Sequence, residues 1–350
     1  RTDQVGISWD QPLWNSANWV AYEQSKIQLE VAQTQYAIVQ QELILRTVKS
    51  YFDTLLAKDL IDLNNIEQQA TQEQYDSVKN SFEAGLVTLG ELKEAEARVG
   101  LINSKAEEVR AGLESARSGL ETLTGDAITD IAPLRPGVEF RAPLPNDINK
   151  WTDQAKEKNF RVQMQKGLFE VSSFDIKKVR TLFSPRLDMI ANCSRTSITS
   201  SRLTDSMDSN NCSAGLYLNI TFWDGGTSKF QQKELLAFRQ KLKNDLKTAQ
   251  NNAILETRRA FLEVNKSLVK LSALNKVVTA SEAALEAIKS GYQAGIRTNL
   301  DVLNSLQQLA QSKVELTKEK YNIVYNQLRL KNAAGILTVK DIEEMNQLLN

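Results

Sequence analysis

The sequence has no histidine among its 350 residues. Histidine is the commonest metal ligand and the commonest base near neutral pH, so its absence excludes Ser-His-Asp triads and weakens any case for a metal site. A Gly-x-x-x-x-Gly-Lys-Ser/Thr phosphate loop and a Gly-x-Ser-x-Gly nucleophile elbow are also absent. We therefore expect a protein that is not an enzyme and that uses neither a metal nor a cofactor.

Helix breakers and long apolar runs are scarce as well. The chain has only 6 prolines and 15 glycines, which favours long uninterrupted helices. No apolar run approaches the roughly 18–20 residues of a membrane-spanning helix, whereas the short alternation of a β-barrel strand is compatible with the sequence. The 43 basic residues balance the 43 acidic ones, so we expect no nucleic-acid partner.

A repeat runs through the chain at an offset of 210 residues. Gly85 and Gly295 are 210 positions apart (295 − 85), and their surroundings, SFEAGLVTLGEL and GYQAGIRTNLDV, align without a gap. The same offset relates Tyr51 to Phe261, and it holds as far as Gly125 in the first copy. A constant offset over this length indicates two copies of one helical hairpin.

The second helix of each copy carries an apolar residue at every seventh position. These positions are Leu92, Val99, Ala106, Leu113 and Leu120 in the first copy and Val302, Leu309, Leu316, Ile323 and Leu330 in the second. A seven-residue repeat keeps one seam against a partner helix, so we favour coiled-coil-like packing over ordinary burial of an amphipathic helix. The first helices, predicted at 16–65 and 228–275, would each span about 75 Å.

The region between the copies has a different composition. Residues 126–149 carry four of the six prolines and are predicted to form a loop. Short helices are predicted at 148–157 and 161–181. Candidate strands follow at 184–194 and 212–223, with a polar hairpin loop predicted at 194–211, and a third candidate strand lies at 5–14.

Each candidate strand alternates apolar and polar residues. In the last strand Leu216, Leu218, Ile220 and Phe222 share one face, as Val5, Ile7 and Trp9 do near the N-terminus. Five aromatic residues lie where the strands meet the long helices: Trp9, Trp14, Trp19, Phe222 and Trp223. Such clusters are typical of membrane interfaces, and a small soluble sheet capping the helices is the alternative interpretation.

The only two cysteines, Cys193 and Cys212, are 19 positions apart (212 − 193) and flank the predicted hairpin loop. A disulfide that closes this loop would fit an oxidising compartment. The alternative is two unrelated thiols. A zinc site is not expected from two thiols without histidine.

Three parts of the chain resemble the TolC family of outer-membrane channel proteins of Gram-negative bacteria. They are the junction FWDGG, the two glycine-centred segments of the repeat, and the C-terminal stretch YNIVYNQLRLKNAAGILTVKDI. The resemblance covers essentially the whole chain. It implies a passive exit duct of a tripartite efflux or type I secretion system, a homotrimer in contact with outer-membrane lipid that extends into the periplasm. A periplasmic adaptor (membrane fusion) protein and an inner-membrane pump are its implied partners, and drugs or secreted proteins its cargo.

The resemblance also implies the architecture. We expect a mainly α protein with a small β part, in which long helical hairpins in two structural repeats form an α-barrel and strands contribute to a trimeric transmembrane β-barrel. The expected segments are a barrel strand (1–14), the first hairpin (15–125), a linker with short helices in an equatorial region (126–183), a β-hairpin with an extracellular loop (184–224), the second hairpin (225–335) and a C-terminal equatorial segment (336–350). The family gives four strands per protomer and this sequence shows three, so we expect a chain whose first strand and preceding helices have been trimmed.

The resemblance further implies a gate at the periplasmic end. Arg297 and Tyr292 match a latch of the family, with Glu91 where the family has an aspartate. Asp301 matches the first of two aspartates that ring the pore entrance, and Asn304 stands in place of the second.

The repeat glycines Gly85 and Gly295 are predicted to permit close helix packing or a bend at a movable joint. The competing function is a soluble periplasmic coiled-coil adaptor or scaffold, although the region between the copies lacks the short Gly- and Val-rich strands of an adaptor's β module.

Overall fold

The computed structural model describes residues 2–199 and 206–349. Its elements are β1 (Thr2–Asn15), α1 (Ser16–Glu83), α2 (Leu89–Thr124), α3 (Ile148–Lys158), α4 (Phe160–Thr181), β2 (Arg186–Thr199), β3 (Ser206–Asn219), α5 (Thr227–Gln293), α6 (Asn299–Ala333) and α7 (Val339–Asn346). Among the helices in this described part, none combines the length and apolar character needed to cross a membrane.

The chain divides into two compact units. The sheet unit comprises the described residues within Arg1–Tyr36 and Phe160–Gln250, and it contains the three strands and α4. The hairpin unit comprises those within Ala37–Asn159 and Asn251–Asn350, and it contains α2, α6 and both hairpin turns.

Both first helices are longer than the sequence analysis predicts. Helix α1 continues to Glu83 instead of ending near residue 65, and α5 continues to Gln293 instead of ending near residue 275. Apolar residues thin out in the polar stretch of α1 beyond residue 65, which suggested an end there. Yet α1 contains neither proline nor glycine along its length, so no residue interrupts the helix.

Glycine ends both first helices at the same position of the repeat. Gly85 and Gly295 have φ angles of 75° and 74°, which only glycine adopts without strain. The Gly85 N–H donates to the Phe82 carbonyl at 2.9 Å, and the Leu86 N–H donates to the Ser81 carbonyl at 2.9 Å. The same pair of bonds recurs around Gly295. This Schellman pattern satisfies the last helical carbonyls and reverses the chain.

Within the described chain no close helix packing occurs at these glycines, because a Cβ atom added at Gly85 or Gly295 would meet nothing within 4 Å. The positive φ explains why glycine occupies both positions, at which the chain reverses in the hairpin turn. Whether the turn is also a movable joint stays a prediction.

The seven-residue seam of α2 and α6 is confirmed. None of its ten positions is exposed in the described chain, and Leu120, Val302, Ile323 and Leu330 are almost fully buried. Helix α1 contributes a matching seven-residue series, in which Asn64, Thr71 and Val78 are buried. Neither amide atom of Asn64 has a hydrogen-bond partner among residues 2–199 and 206–349, so the seam of the first copy includes an uncompensated polar group.

Within the hairpin unit, α1 of the first copy packs against α6 of the second. The rings of Phe52 and Tyr321 stack with their centroids 5.3 Å apart. The Tyr321 hydroxyl donates to Asp59 Oδ2 at 2.6 Å. Burial raises the pKa of Asp59 and also, more strongly, that of Tyr321, which keeps the tyrosine a donor. The two copies are thereby joined by a buried contact.

The linker and the C-terminal segment meet in the same unit. Leu134 and Leu349 form an isolated antiparallel bridge. Helix α3 starts at Ile148, as predicted, with the Asp147 carboxylate accepting from the Asn149 N–H. Its Trp151 packs into a core cluster with Phe261 of α5.

The three strands form one antiparallel sheet in the order β1-β2-β3. β2 pairs with β3 from Arg186–Asn219 to Thr199–Ser206, so the loop predicted over 194–211 is wrong for most of its length. Those residues are polar because the strand faces there are not buried, and their backbone still pairs. Residues 200–205 of the predicted loop lie outside the described residues. β3 ends at Asn219, so Ile220 and Phe222 follow the strand.

The register gives the sheet one apolar and one polar face. Residues of the apolar face include Val5, Ile7, Trp9, Leu187, Met189, Ala191, Leu216 and Leu218. Residues of the polar face include Ser8, Asp10, Asp188, Asn192 and Ser213. Ile7 is 79% exposed and Leu216 is 66% exposed, so the chain does not cover this apolar face by itself.

We predict opposite stability effects for two glycine-to-alanine substitutions in the first hairpin. Gly85→Ala forces alanine into positive φ and should lower the free energy of unfolding by about 1 kcal/mol. Gly100→Ala lies inside α2 with open space around the new methyl group and should raise it by up to about 1 kcal/mol. Denaturant titration of both variants checks this pair, and equal effects of the same sign would contradict the role assigned to Gly85.

Candidate functional site

The hairpin turns carry most of the predicted site residues, and they lie in one unit. Each turn runs from a positive-φ glycine to a threonine that caps the second helix, Thr88 for α2 and Thr298 for α6. Both caps follow from their sequences, because TLGE and TNLD place an acid three residues after the threonine. The two caps are not among the predicted features.

Asp301 is fixed by the start of α6. Its carboxylate accepts the Thr298 N–H at 3.0 Å, and its own N–H donates to the Thr298 hydroxyl at 3.2 Å. Hydrogen bonds from Thr298 to the carboxylate, the backbone one first and the side-chain one second, hold the pKa of Asp301 below the ordinary aspartate value. The predicted ring residue is therefore an ionised carboxylate with a defined position.

The first copy forms only one of the two hydrogen bonds that cap α6 in the second copy. The Glu91 N–H donates to the Thr88 hydroxyl at 3.3 Å, as in the second copy. The described structure records no return bond from the Glu91 carboxylate to the Thr88 N–H. The cap therefore does not fix the Glu91 carboxylate in the way that it fixes the Asp301 carboxylate.

The three predicted latch residues lie on the two hairpin turns of one unit, and no hydrogen bond joins Tyr292 to Glu91 within the described residues. Burial raises the pKa of Tyr292, and the negative charge of Glu91 raises it further to a smaller extent. Arg297 is exposed, and within the described residues it forms no ion pair with Glu91. Its positive charge instead acts on Asp301, whose pKa it helps to lower.

The stem of Arg297 rests on Gly291. The Arg297 N–H donates to the Gly291 carbonyl at 3.1 Å, and a Cβ added at residue 291 would come within 2.8 Å of Arg297 Cγ. The first copy has Ser81 and Val87 at the matching positions. The second copy, which has the arginine, thus also has the glycine that leaves room for its side chain, and the first copy has neither.

Two contacts between the copies lie close to these turns and were not predicted. Gln74 Nε2 of α1 donates to Asn299 Oδ1 of α6 at 2.6 Å, and Arg98 of α2 donates to Gln307 of α6. Asn299 is only 1% exposed, and its own Nδ2 has no partner in the described structure. Apolar periodicity could not identify it, because its side chain is polar.

The second predicted ring position is exposed. Asn304 lies one turn after Asp301 on α6, so the two side chains share a face of the helix. Only Asp301 contributes a charge there. Across residues 2–199 and 206–349, no group of three or more His, Cys, Asp or Glu side chains is placed to hold a metal ion.

The family model described as outer membrane efflux protein matches residues 1–126 and 151–336. Among curated proteins, the chain is 26% identical to the outer membrane protein TolC of Escherichia coli, covering 97% of this chain and 71% of that protein. It is 27% identical to the alkaline protease secretion protein AprF of Pseudomonas aeruginosa, covering 96% of this chain and 70% of that protein.

Solved structures share the fold. The Campylobacter jejuni CmeC outer membrane channel superposes with a TM-score of 0.75 at 15% identity, covering 100% of this chain and 82% of that one. The outer membrane protein VceC of Vibrio cholerae superposes with a TM-score of 0.75 at 14% identity, covering 96% of this chain and 87% of that one. At these identities the likeness concerns the fold alone.

Proposed function

The chain belongs to the outer membrane efflux protein family, and we propose that it is the exit duct of a tripartite efflux or type I secretion system. Its place is the outer membrane of a Gram-negative bacterium. Relatives named for efflux and for protease secretion support a passive conduit for drugs or secreted proteins. A periplasmic adaptor and an inner-membrane pump are the partners that such a system supplies.

One observation carries the proposal: the sheet has an exposed apolar face opposite a polar one. A strand that crosses a bilayer alternates in this way, with apolar side chains toward lipid and polar ones toward a lumen. In a soluble coiled-coil adaptor this apolar sheet face would be exposed to water, which is unfavourable, so the sheet favours the membrane duct over that alternative.

The internal repeat supports assembly of several chains into a ring, and we propose the homotrimer that the family resemblance implies. Within one chain, the series Leu45, Phe52 and Asp59 on α1 is half-buried or buried against the second copy. The matching series on α5, 210 positions later, is Leu255, Leu262 and Val269, and these side chains are 45%, 60% and 73% exposed. Helix α5 therefore has an apolar stripe that a neighbouring chain can cover.

The repeat also indicates what covers the stripe. Asp59 contacts Tyr321 inside the chain, and the positions related to them by the offset are Val269 and Ala111. A polar pair inside the chain would thus be replaced by an apolar pair between Val269 of one chain and exposed Ala111 of the next. Such head-to-tail contacts form a ring when the rotation from one chain to the next closes, as it does in a trimer.

The hairpin turns are proposed to form the periplasmic gate. In the closed gate of the assembled protein, Glu91 of the first copy is proposed to pair with Tyr292 and with Arg297 of the second, although Arg297 forms no ion pair with Glu91 within the described single chain. Gln74 and Asn299 add a buried hydrogen bond between the same copies. Each exposed ion pair contributes only about 0–1 kcal/mol, so a gate held by a few such bonds opens when a partner favours the open state.

The pore entrance is proposed to carry a ring of one carboxylate per chain, Asp301. Rings of acidic side chains attract cations and repel anions. With Asn304 in place of a second acid, we expect weaker cation selectivity and weaker block by multivalent cations than a double ring of aspartates gives.

The trimer contact can be tested at Leu262. Leu262→Lys would bury an unpaired ammonium at every contact, which should cost more than the ~1.4 kcal/mol that weakens association tenfold. Leu262→Ala removes area without adding charge and should weaken association less. Light scattering of the purified chains in detergent measures the trimer fraction. A lysine variant that is as trimeric as the parent would contradict the contact.

The duct and its latch can be tested by conductance in planar bilayers. The parent should insert as a channel with low resting conductance, and Arg297→Ser or Tyr292→Phe should raise that conductance, with a larger rise in the double variant. Lys93→Ser is the control, because the ion pair of Lys93 with Glu96 at 2.7 Å stays within its own helix. If neither variant conducts more than the parent, the latch is assigned to the wrong residues; if the parent forms no channel, the duct is wrong.

The ring charge can be tested with Asp301→Asn. The amide keeps an oxygen that can accept the Thr298 N–H while the charge is lost, so the helix start should survive. We expect reduced cation over anion permeability and reduced block by multivalent cations, whereas the exposed control Asp76→Asn should behave like the parent. Because the pKa of Asp301 is lowered, the parent should keep its selectivity in mildly acidic solution and lose it only as the pH falls through that lowered pKa. Unchanged selectivity in Asp301→Asn would rule out this ring.

A further inference from the structure

The disulfide between Cys193 and Cys212 lies on the apolar face of the sheet. Ile7 lies opposite Cys193 on β1, and the ion pair of Arg195 with Asp208, at 3.0 Å, lies beyond it on the same face. The disulfide is therefore in the last apolar row before charged side chains begin. Both cysteines are exposed within the single chain, so their sulfur atoms are reachable before assembly.

The position of the pair along the strands decides when it can be oxidised. β2 follows helix α4 and β3 leads toward helix α5, so the end of the ladder at Arg186 and Asn219 is the end nearest to the helices. Cys193 is seven residues further along β2 (193 − 186), which is about 24 Å at ~3.4 Å per residue. The proposed function, on which this inference rests, puts the helices in the periplasm and the strands across the membrane. After insertion the cysteines would lie at the far side of the membrane, beyond the reach of a periplasmic enzyme.

We infer that a periplasmic dithiol–disulfide oxidoreductase forms this bond before the strands enter the membrane. One cysteine thiolate attacks the disulfide of the oxidoreductase and forms a mixed disulfide, from which the second thiolate releases the enzyme. The chain loses two protons and two electrons and gains one S–S bond, and the disulfide of the oxidoreductase is reduced to two thiols. Since the chain has only two cysteines, one pairing is available and no isomerisation is required.

The bond has a defined effect on the strand pair. A slip of one residue between β2 and β3 would move every side chain to the opposite face and mix the apolar with the polar side. Cys193 can meet Cys212 only in the register observed. Oxidation before insertion therefore fixes the register of the hairpin, and with it the side that faces lipid, before the strands enter the membrane.

A pulse–chase experiment on the full chain in its own periplasm tests the order of events. A maleimide–polyethylene glycol reagent adds mass to each free thiol, and the detergent-resistant trimer is separated from unassembled chains at each time. We expect reduced chains only in the unassembled fraction and complete loss of the mass shift in the trimer fraction at every time. In cells that lack the periplasmic dithiol–disulfide oxidoreductase, reduced and unassembled chains should accumulate.

Variants separate the disulfide from a general effect on the strands. Cys193→Ser with Cys212→Ser should reduce the trimer yield, whereas Ser194→Ala with Asn211→Ala, the neighbouring pair of the same ladder on the polar face, should not. Trimers that contain free thiols early and oxidise later would overturn the inference while leaving the duct intact. A chain recovered as a soluble periplasmic protein would instead contradict the proposed function and remove the premise of the inference.

Discussion

The structure depends on the need to cover long helices along their whole length. A hairpin of two helices covers one stripe on each partner, and the seven-residue seam provides that cover in both copies. Helix α1 has a second stripe, including Phe52, which the second copy covers through Tyr321. Helix α5 has the equivalent stripe and finds no such cover within the described chain, as the exposure of Leu262 and Val269 shows. This uncovered stripe is the surface that the proposed trimer would cover.

The sheet unit also has groups that the single chain leaves without partners. β1 and β3 are edge strands, and an edge strand carries backbone donors and acceptors that need partners. In hydrocarbon each unpaired group costs several kcal/mol, so a sheet that enters lipid has to continue into neighbouring strands. The exposed apolar face and the open edges are consistent with one solution, in which strands of several chains pair side by side.

Much of this arrangement could be predicted from residues that repeat. The seam follows from spacing, because burial on one side of a helix imposes a period, and the strand faces follow from the alternation of apolar and polar residues. The disulfide between Cys193 and Cys212 was one of two alternatives that the sequence left open, and the strand register selects it. Helix ends were harder, since the polar end of α1 gives no periodic apolar signal and only Gly85 marks its stop. The predicted loop at 194–211 failed because a strand that no other layer covers has the composition of a loop. The contact of Gln74 with Asn299 joins residues from two copies, and no local pattern contains it.

Asp301 combines two tasks that proteins usually keep on separate residues. Its carboxylate closes the first turn of α6, and the same carboxylate is the charge proposed for the pore entrance. A mutation that removes the side chain would therefore loosen the helix start and alter permeation together, whereas Asn304 makes no such cap and is free to vary. If the proposed ring exists, a change at residue 304 would alter the charge of the pore entrance without touching the cap of α6, whereas at residue 301 only a side chain that still accepts the Thr298 N–H would leave that cap intact.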